Sequence, residues 1–171
     1  MPTMSSTVTH LILDQTRINH IIRRMAYQVY ETNVNEKEVI IAGVKENGVI
    51  FANKLKQAIE LIAPLKITLC EIHIHKKNPL QPITLTPTDI DFNQKSIVVA
   101  DDVLHSGSTL IHSVKYFLNH NVKQIKTAVL IDRNHKRFPV KADFKGISLS
   151  TSINENVSVI FEKNKDRAVI E

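Results

Sequence analysis

Ile97-Val98-Val99-Ala100-Asp101-Asp102-Val103-Leu104-His105-Ser106-Gly107-Ser108-Thr109 sets the architecture of the chain. Its β-branched, apolar opening suits a strand buried on both faces of a parallel sheet. Two carboxylates stand at the end of that strand, and a short turn of Ser, Gly and Thr follows. From Leu110 the spacing turns helical, with Leu110, Val114, Phe117 and Leu118 on one side. A strand that feeds a polar loop onto a helix N-terminus makes an anion site from free backbone N–H groups and the positive end of the helix dipole. Small residues let a phosphate approach, and Ser106, Ser108 and Thr109 add hydroxyl donors. A phosphate site beside two carboxylates points to a phosphorylated sugar, the acids accepting hydrogen bonds from its hydroxyls. The competing reading makes the acid pair a turn former and helix cap, as in response-regulator-like sheets.

With 171 residues, 43% of them hydrophobic, the chain is expected to form one domain with a substantial core, residues 1–9 being loose. No apolar run approaches the roughly 18–20 residues that span a bilayer, so no membrane partner is expected. The single Cys70 leaves no intrachain disulfide and fits a reducing, cytoplasmic setting, with the thiol read as a small strand residue. A formal charge of +5 suits the handling of polyphosphates and equally suits RNA.

On either side of the central stretch the chain alternates strands and helices. Asp14 is placed to cap a helix over residues 14–33, with Ile18, Ile21, Ile22, Met25, Ala26 and Val29 as its apolar stripe. Arg17, Arg23 and Arg24 fall off that stripe, on a solvated or nucleic-acid-facing side. A strand over 39–43 runs through the turn Val44-Lys45-Glu46-Asn47-Gly48 into a helix burying Val49, Ala52, Leu55, Ile59 and Ile62. That turn lies at the carboxyl edge of the sheet, where α/β folds bind ligands. A strand over 65–74 precedes a long, Pro-interrupted loop over 78–93, of the kind that forms lids or stays disordered. His73 and His75 share a strand face without an evident third metal ligand. An apolar strand over 125–131 leads into the basic loop Asn134-His135-Lys136-Arg137-Phe138-Pro139 at the same edge. Residues 157–161 read as a last strand before a polar tail.

The central stretch resembles the thirteen-residue motif of the type I phosphoribosyltransferases, which bind phosphoribosyl diphosphate (PRPP). The stretch Ala128-Val129-Leu130-Ile131-Asp132-Arg133-Asn134-His135-Lys136-Arg137-Phe138-Pro139-Val140-Lys141-Ala142-Asp143-Phe144 is similar to a segment of the pyrimidine-operon attenuation regulators that are also uracil phosphoribosyltransferases. The resemblance implies an α/β fold: a mainly parallel sheet, helices on both faces and a small hood over its carboxyl edge. It implies that Asp101 and Asp102 bind the ribose hydroxyls and that His105, Ser106, Gly107, Ser108 and Thr109 cradle the 5′-phosphate. Lys45, Glu46, Asn47 and Gly48 fall in the pyrophosphate loop, and Lys76 and Lys77 in a flexible loop. Asp132, Arg133 and Phe138 fall at the base pocket, and Arg23, Arg24, His135, Lys136 and Lys141 on a messenger-RNA surface. The implied reaction moves the phosphoribosyl group from PRPP to a nucleobase, uracil first and a purine as the weaker option. Mg²⁺ would be held mainly by the substrate, in a homodimer or higher homo-oligomer. The rival reading is a PRPP- or nucleotide-sensing RNA-binding regulator with little turnover. Three positions depart from the pattern: Glu46-Asn47-Gly48 stands for Thr-Arg-Gly, Ser108 for an Arg, and the segment 76–93 is shorter and lacks a Tyr-Arg pair. The first exchange sets an acid and an amide where a hydroxyl and a cation would meet pyrophosphate.

Overall fold

Continuous apolar strands need cover on both faces, and the fold supplies it with helices above and below one sheet. The computed structural model describes residues 8–171. In chain order the elements are β1 (His10–Leu13), α1 (Gln15–Glu31), β2 (Glu38–Val44), α2 (Asn47–Ile62), β3 (Lys66–His73) and β4 (Thr84–Thr86). They continue with β5 (Ser96–Leu104), α3 (Ser108–Phe117), β6 (Gln124–Asp132), β7 (Phe144–Ser148), β8 (Val157–Ile160) and β9 (Arg167–Ile170). Of the N-terminal residues expected to be loose, 1–7 lie outside the described residues.

The main sheet has the order β4-β3-β2-β5-β6-β7 and is parallel except where β4 returns against β3. Side chains alternate across it. Ile41, Val98, Ala100, Ala128 and Leu130 face α1 and α2, while Ile40, Ala42, Ile97, Val99 and Val129 face α3. The chain leaves β2 toward β3 on one side and resumes at β5 on the other, so strand order reverses between β2 and β5. The loops that follow those two strands diverge there and open a crevice at the carboxyl edge.

All six stripe residues of α1 are buried, and Asp14 caps the helix by accepting from the Arg17 N–H at 2.9 Å. The apolar side of α2 is centred differently from the sequence pattern. Phe51 is wholly buried, and Val49 and Ile62 are only half-buried. Leu118 does not belong to the buried side of α3, because the helix ends at Phe117 and leaves Leu118 67% exposed. Within the expected loop over 78–93, β4 pairs with β3 and buries Leu85. The tail read as polar contains β9, whose Ala168 and Val169 are buried between β1 and β8 in a second, antiparallel sheet of order β1-β9-β8. That small sheet is the hood, built from both ends of the chain. Among the described residues no helix is long and apolar enough to cross a membrane.

Candidate active site

The acid pair lies inside β5, two residues before its end, since Val103 and Leu104 still pair with Ile131 and Asp132. Alternation along the strand separates the two carboxylates: Asp101 is buried and Asp102 half-buried. Asp101 Oδ1 accepts from the Asp102 N–H at 2.9 Å, and Asp102 Oδ1 accepts from the Val103 N–H at 2.9 Å. Burial, and then the adjacent Asp102 carboxylate, push the Asp101 carboxyl well above the usual carboxylate range, with Lys76 pulling the other way.

Residues 105–107 join β5 to α3. Gly107 has φ 86, a left-handed conformation that an L side chain adopts only with strain, and no side chain caps the helix it begins. The N-terminal end of α3 therefore faces the crevice without a built-in anion. Ser106 shapes the turn: its hydroxyl accepts from the Ser108 N–H at 3.2 Å, and its carbonyl accepts from the Arg137 and Phe138 N–H groups at 2.8 and 3.1 Å. His105 Nδ1 lies 3.0 Å from Arg133 Nη1. A guanidinium only donates, so Nδ1 is the acceptor and the ring proton sits on Nε2. Desolvation, and then the Arg133 charge, hold the His105 pKa below its ordinary value.

These groups line one cleft of about 290 Å³, together with Asn47, Lys76, Asn156 and residues 157–159 of the hood. Asn47 donates to Asp102 Oδ2 at 3.1 Å and to the Val159 carbonyl at 2.8 Å. Gly48 packs beneath the acids, where an added Cβ would stand 3.0 Å from the Ala100 carbonyl and 3.1 Å from Asp101 Oδ1. Among the described residues, Lys76 is the single lysine or arginine on the lining.

A model of the phosphoribosyl transferase domain family matches residues 9–162. The chain belongs to the phosphoribosyltransferase family. The activity class that follows is pentosyl transfer. Among curated relatives, the chain is 34% identical over 159 residues to the Bifunctional protein PyrR of Bacillus pumilus, covering 87% of this chain and 88% of that protein. It is 30% identical over 168 residues to the Bifunctional protein PyrR of Staphylococcus epidermidis, covering 94% and 96%. Its fold matches the hypoxanthine phosphoribosyltransferase of Trypanosoma cruzi with a TM-score of 0.75 at 14% identity, over 92% of this chain and 94% of that one. A hypoxanthine-guanine phosphoribosyltransferase from Bacillus anthracis gives 0.70 at 19% identity, over 81% of each chain.

Several residues that the sequence pointed to do not line this cleft. Lys45, Glu46 and Lys77 are exposed and off the cleft lining, while Asn47 between them is on it. Asp132, Arg133 and Phe138 are also off the lining. Asp132 is buried, accepting from the Asn134 N–H at 3.1 Å and pairing with Lys136 at 3.3 Å. Arg133 staples the end of β6 to the following loop through the Thr151 hydroxyl at 2.9 and 3.0 Å and the Ser152 and Glu155 carbonyls. His135 Nε2 donates to the Thr151 carbonyl. Arg24 donates to the Lys145 and Gly146 carbonyls at 3.3 and 2.6 Å, closing polar groups of β7, the edge strand of the main sheet. All five residues of the expected RNA-facing set are exposed; Arg24, His135 and Lys136 also bond to the fold. Sequence reasoning missed Asn156, Ser158 and the bridging role of Asn47; no local pattern marks them.

Among the described residues no group of three or more His, Cys, Asp or Glu could cage a metal. Mg²⁺ prefers waters and substrate phosphates with one or two carboxylates, and the acid pair is a donor set of that kind.

Proposed function

We propose that this chain transfers the 5-phosphoribosyl group of PRPP to uracil and releases pyrophosphate. The observation that carries the reading is the sharing of one cleft by an uncapped helix start, an acid pair and a single lysine. Residues 105–109 take the 5′-phosphate through the α3 N–H groups and the Ser106, Ser108 and Thr109 hydroxyls. Asp102, the more exposed of the two acids on the lining, accepts the ribose hydroxyls. Asp101 lies beneath it. As the anomeric carbon–oxygen bond to pyrophosphate lengthens, positive charge spreads over the sugar ring, and the acid pair favours that charge. Lys76 faces the leaving pyrophosphate, standing in for the cation that Asn47 does not supply. The hood backbone over residues 157–159 offers N–H and C=O groups to a base edge. Phosphoribosyltransferases generally use Mg²⁺ with PRPP; the acid pair would hold it, and the ion would supply charge neutralisation on the leaving group.

Incubating the protein with PRPP, Mg²⁺ and separate samples of uracil, cytosine, hypoxanthine and guanine tests this reading. UMP as the main product supports it; purine nucleotides alone, or none, overturn it. The family resemblance and the formal charge of +5 support RNA contact as a second activity, with Arg23, Arg24, Lys136 and Lys141 the exposed cations of the expected set. Binding to pyrimidine-gene leader RNA that weakens steeply with salt is the expected sign. We also propose self-association, supported by a groove between α1 and α2 where Leu61 is 87% exposed. Light scattering on a sizing column measures it.

A further inference from the structure

We propose that Asn47 is a positioning residue that locks the hood to the acid pair, orienting Asp102 toward ribose and seating β8 over the cleft in one step. The inference deepens the transfer reading above and rests on it. The two partners of Asn47 lie in elements far apart in the chain, a carboxylate oxygen of β5 at 3.1 Å and a carbonyl of β8 at 2.8 Å. Neither partner can donate. The amide nitrogen must therefore face them, with one proton for each, and the side-chain orientation is fixed by chemistry. With Val103 N–H on the other oxygen, each Asp102 oxygen is held by one donor and keeps lone pairs for the cleft. The preceding residue, Glu46, has φ 75 and ψ −121, a conformation that a non-glycine residue adopts at a cost; it starts α2 so that Asn47 meets the acids.

Val157 and Val159 pack into the core, and the other side-chain polar ties of the hood lie at its periphery. Lys54 and Gln15 hold Asp166, with Lys54 at 2.8 Å, and Arg133 holds the loop over residues 151–155. The polar link from the part of β8 that lines the cleft to the acid pair is Asn47. An alanine there removes both bonds. An aspartate keeps the shape but sets acceptors against two acceptors.

The test compares wild type with Asn47→Ala, Asn47→Asp and, should the alanine variant not fold, Asn47→Ser. Without ligand, amide exchange over Val157–Ile160 is expected to quicken about tenfold or more, with β2 and β5 unchanged. With PRPP and uracil, kcat/KM for PRPP is expected to fall by about tenfold or more, with aspartate no better than alanine and Asn47→Gln recovering part of the loss. On an Asp102→Asn background the alanine change should have little further effect on kcat/KM. Unchanged exchange in β8 overturns the lock. Altered exchange with unchanged kcat/KM, or full additivity with Asp102→Asn, overturns the positioning role. If wild type neither binds nor turns over PRPP, the transfer reading falls together with the ribose half of this inference, while the exchange arm still decides the lock.

Discussion

Replacing Gly107 by alanine is the sharpest probe of the anion loop. At φ 86 the new side chain carries the left-handed penalty, about 1 kcal/mol. Its Cβ would also stand 2.6 Å from Val140 Cγ1 and 3.3 Å from the Phe138 carbonyl. Carbon contacts are comfortable near 3.5–4.0 Å, so Val140 must withdraw by roughly 1 Å, and the backbone at Phe138 must yield by a few tenths. Overpacking of this kind costs about 1–3 kcal/mol, for a total of about 2–4 kcal/mol. In a chain of this size each kcal/mol moves Tm by roughly 2–4 °C, so a fall of about 5–15 °C is expected. The same displacement separates residues 138–140 from Ser106, whose carbonyl holds the Arg137 and Phe138 N–H groups, and it shifts the start of α3. PRPP affinity should therefore fall by about tenfold or more at temperatures where the variant is fully folded. Urea denaturation and calorimetric titration with PRPP measure the two effects. Gly146→Ala is the control: its Cβ would meet the Leu130 carbonyl and Ile21, away from the cleft, so stability should fall while PRPP affinity holds. A loss below about 0.5 kcal/mol in Gly107→Ala, or PRPP binding equal to wild type, refutes a rigid loop shaped for phosphate.

Asp101→Asn should abolish transfer and stabilise the fold at neutral pH by about 1–2 kcal/mol, measured by urea unfolding. The sign follows from its pKa: raised on folding above the ordinary carboxylate range, it costs stability as pH rises through that range, and asparagine removes the cost. Glu38 works in the opposite sense. Hydrogen bonds from Thr68 and Lys95 lower its pKa from 4.5 to about 2, so its contribution is full above 4.5 and fades as pH falls toward 2. Glu38→Gln should cost about 1–2 kcal/mol at pH 7, after allowance for solvent screening, and match wild type near pH 2. Cys70, buried and pushed up to about 12, should resist a disulfide reagent at pH 8 in the native protein and react at once in urea.

The parts of this protein whose physics is local can be read from residue order. A strand buried on both faces must be apolar along its whole length, so β2, β5 and β6 were legible as continuous β-branched runs. An anion loop needs only a strand end, small residues and a helix start, and these are consecutive at 101–109. The α1 stripe was legible because one helix face meets one core. What depends on partners from elsewhere in the chain emerges only once the chain has folded. The apolar run of β9 is too short to stand out, and its partners are β1, at the opposite end of the chain, and β8. Arg24, Arg133, His135 and Lys136 have the composition of a nucleic-acid surface. Which carbonyl, hydroxyl or carboxylate such a surface side chain also bonds depends on the loop that the fold brings beside it. The same holds at the site: Asn47 reads as a turn residue beside Gly48, and it bridges Asp102 and Val159 because strand order and the closing of the hood bring two acceptors within reach of one amide nitrogen.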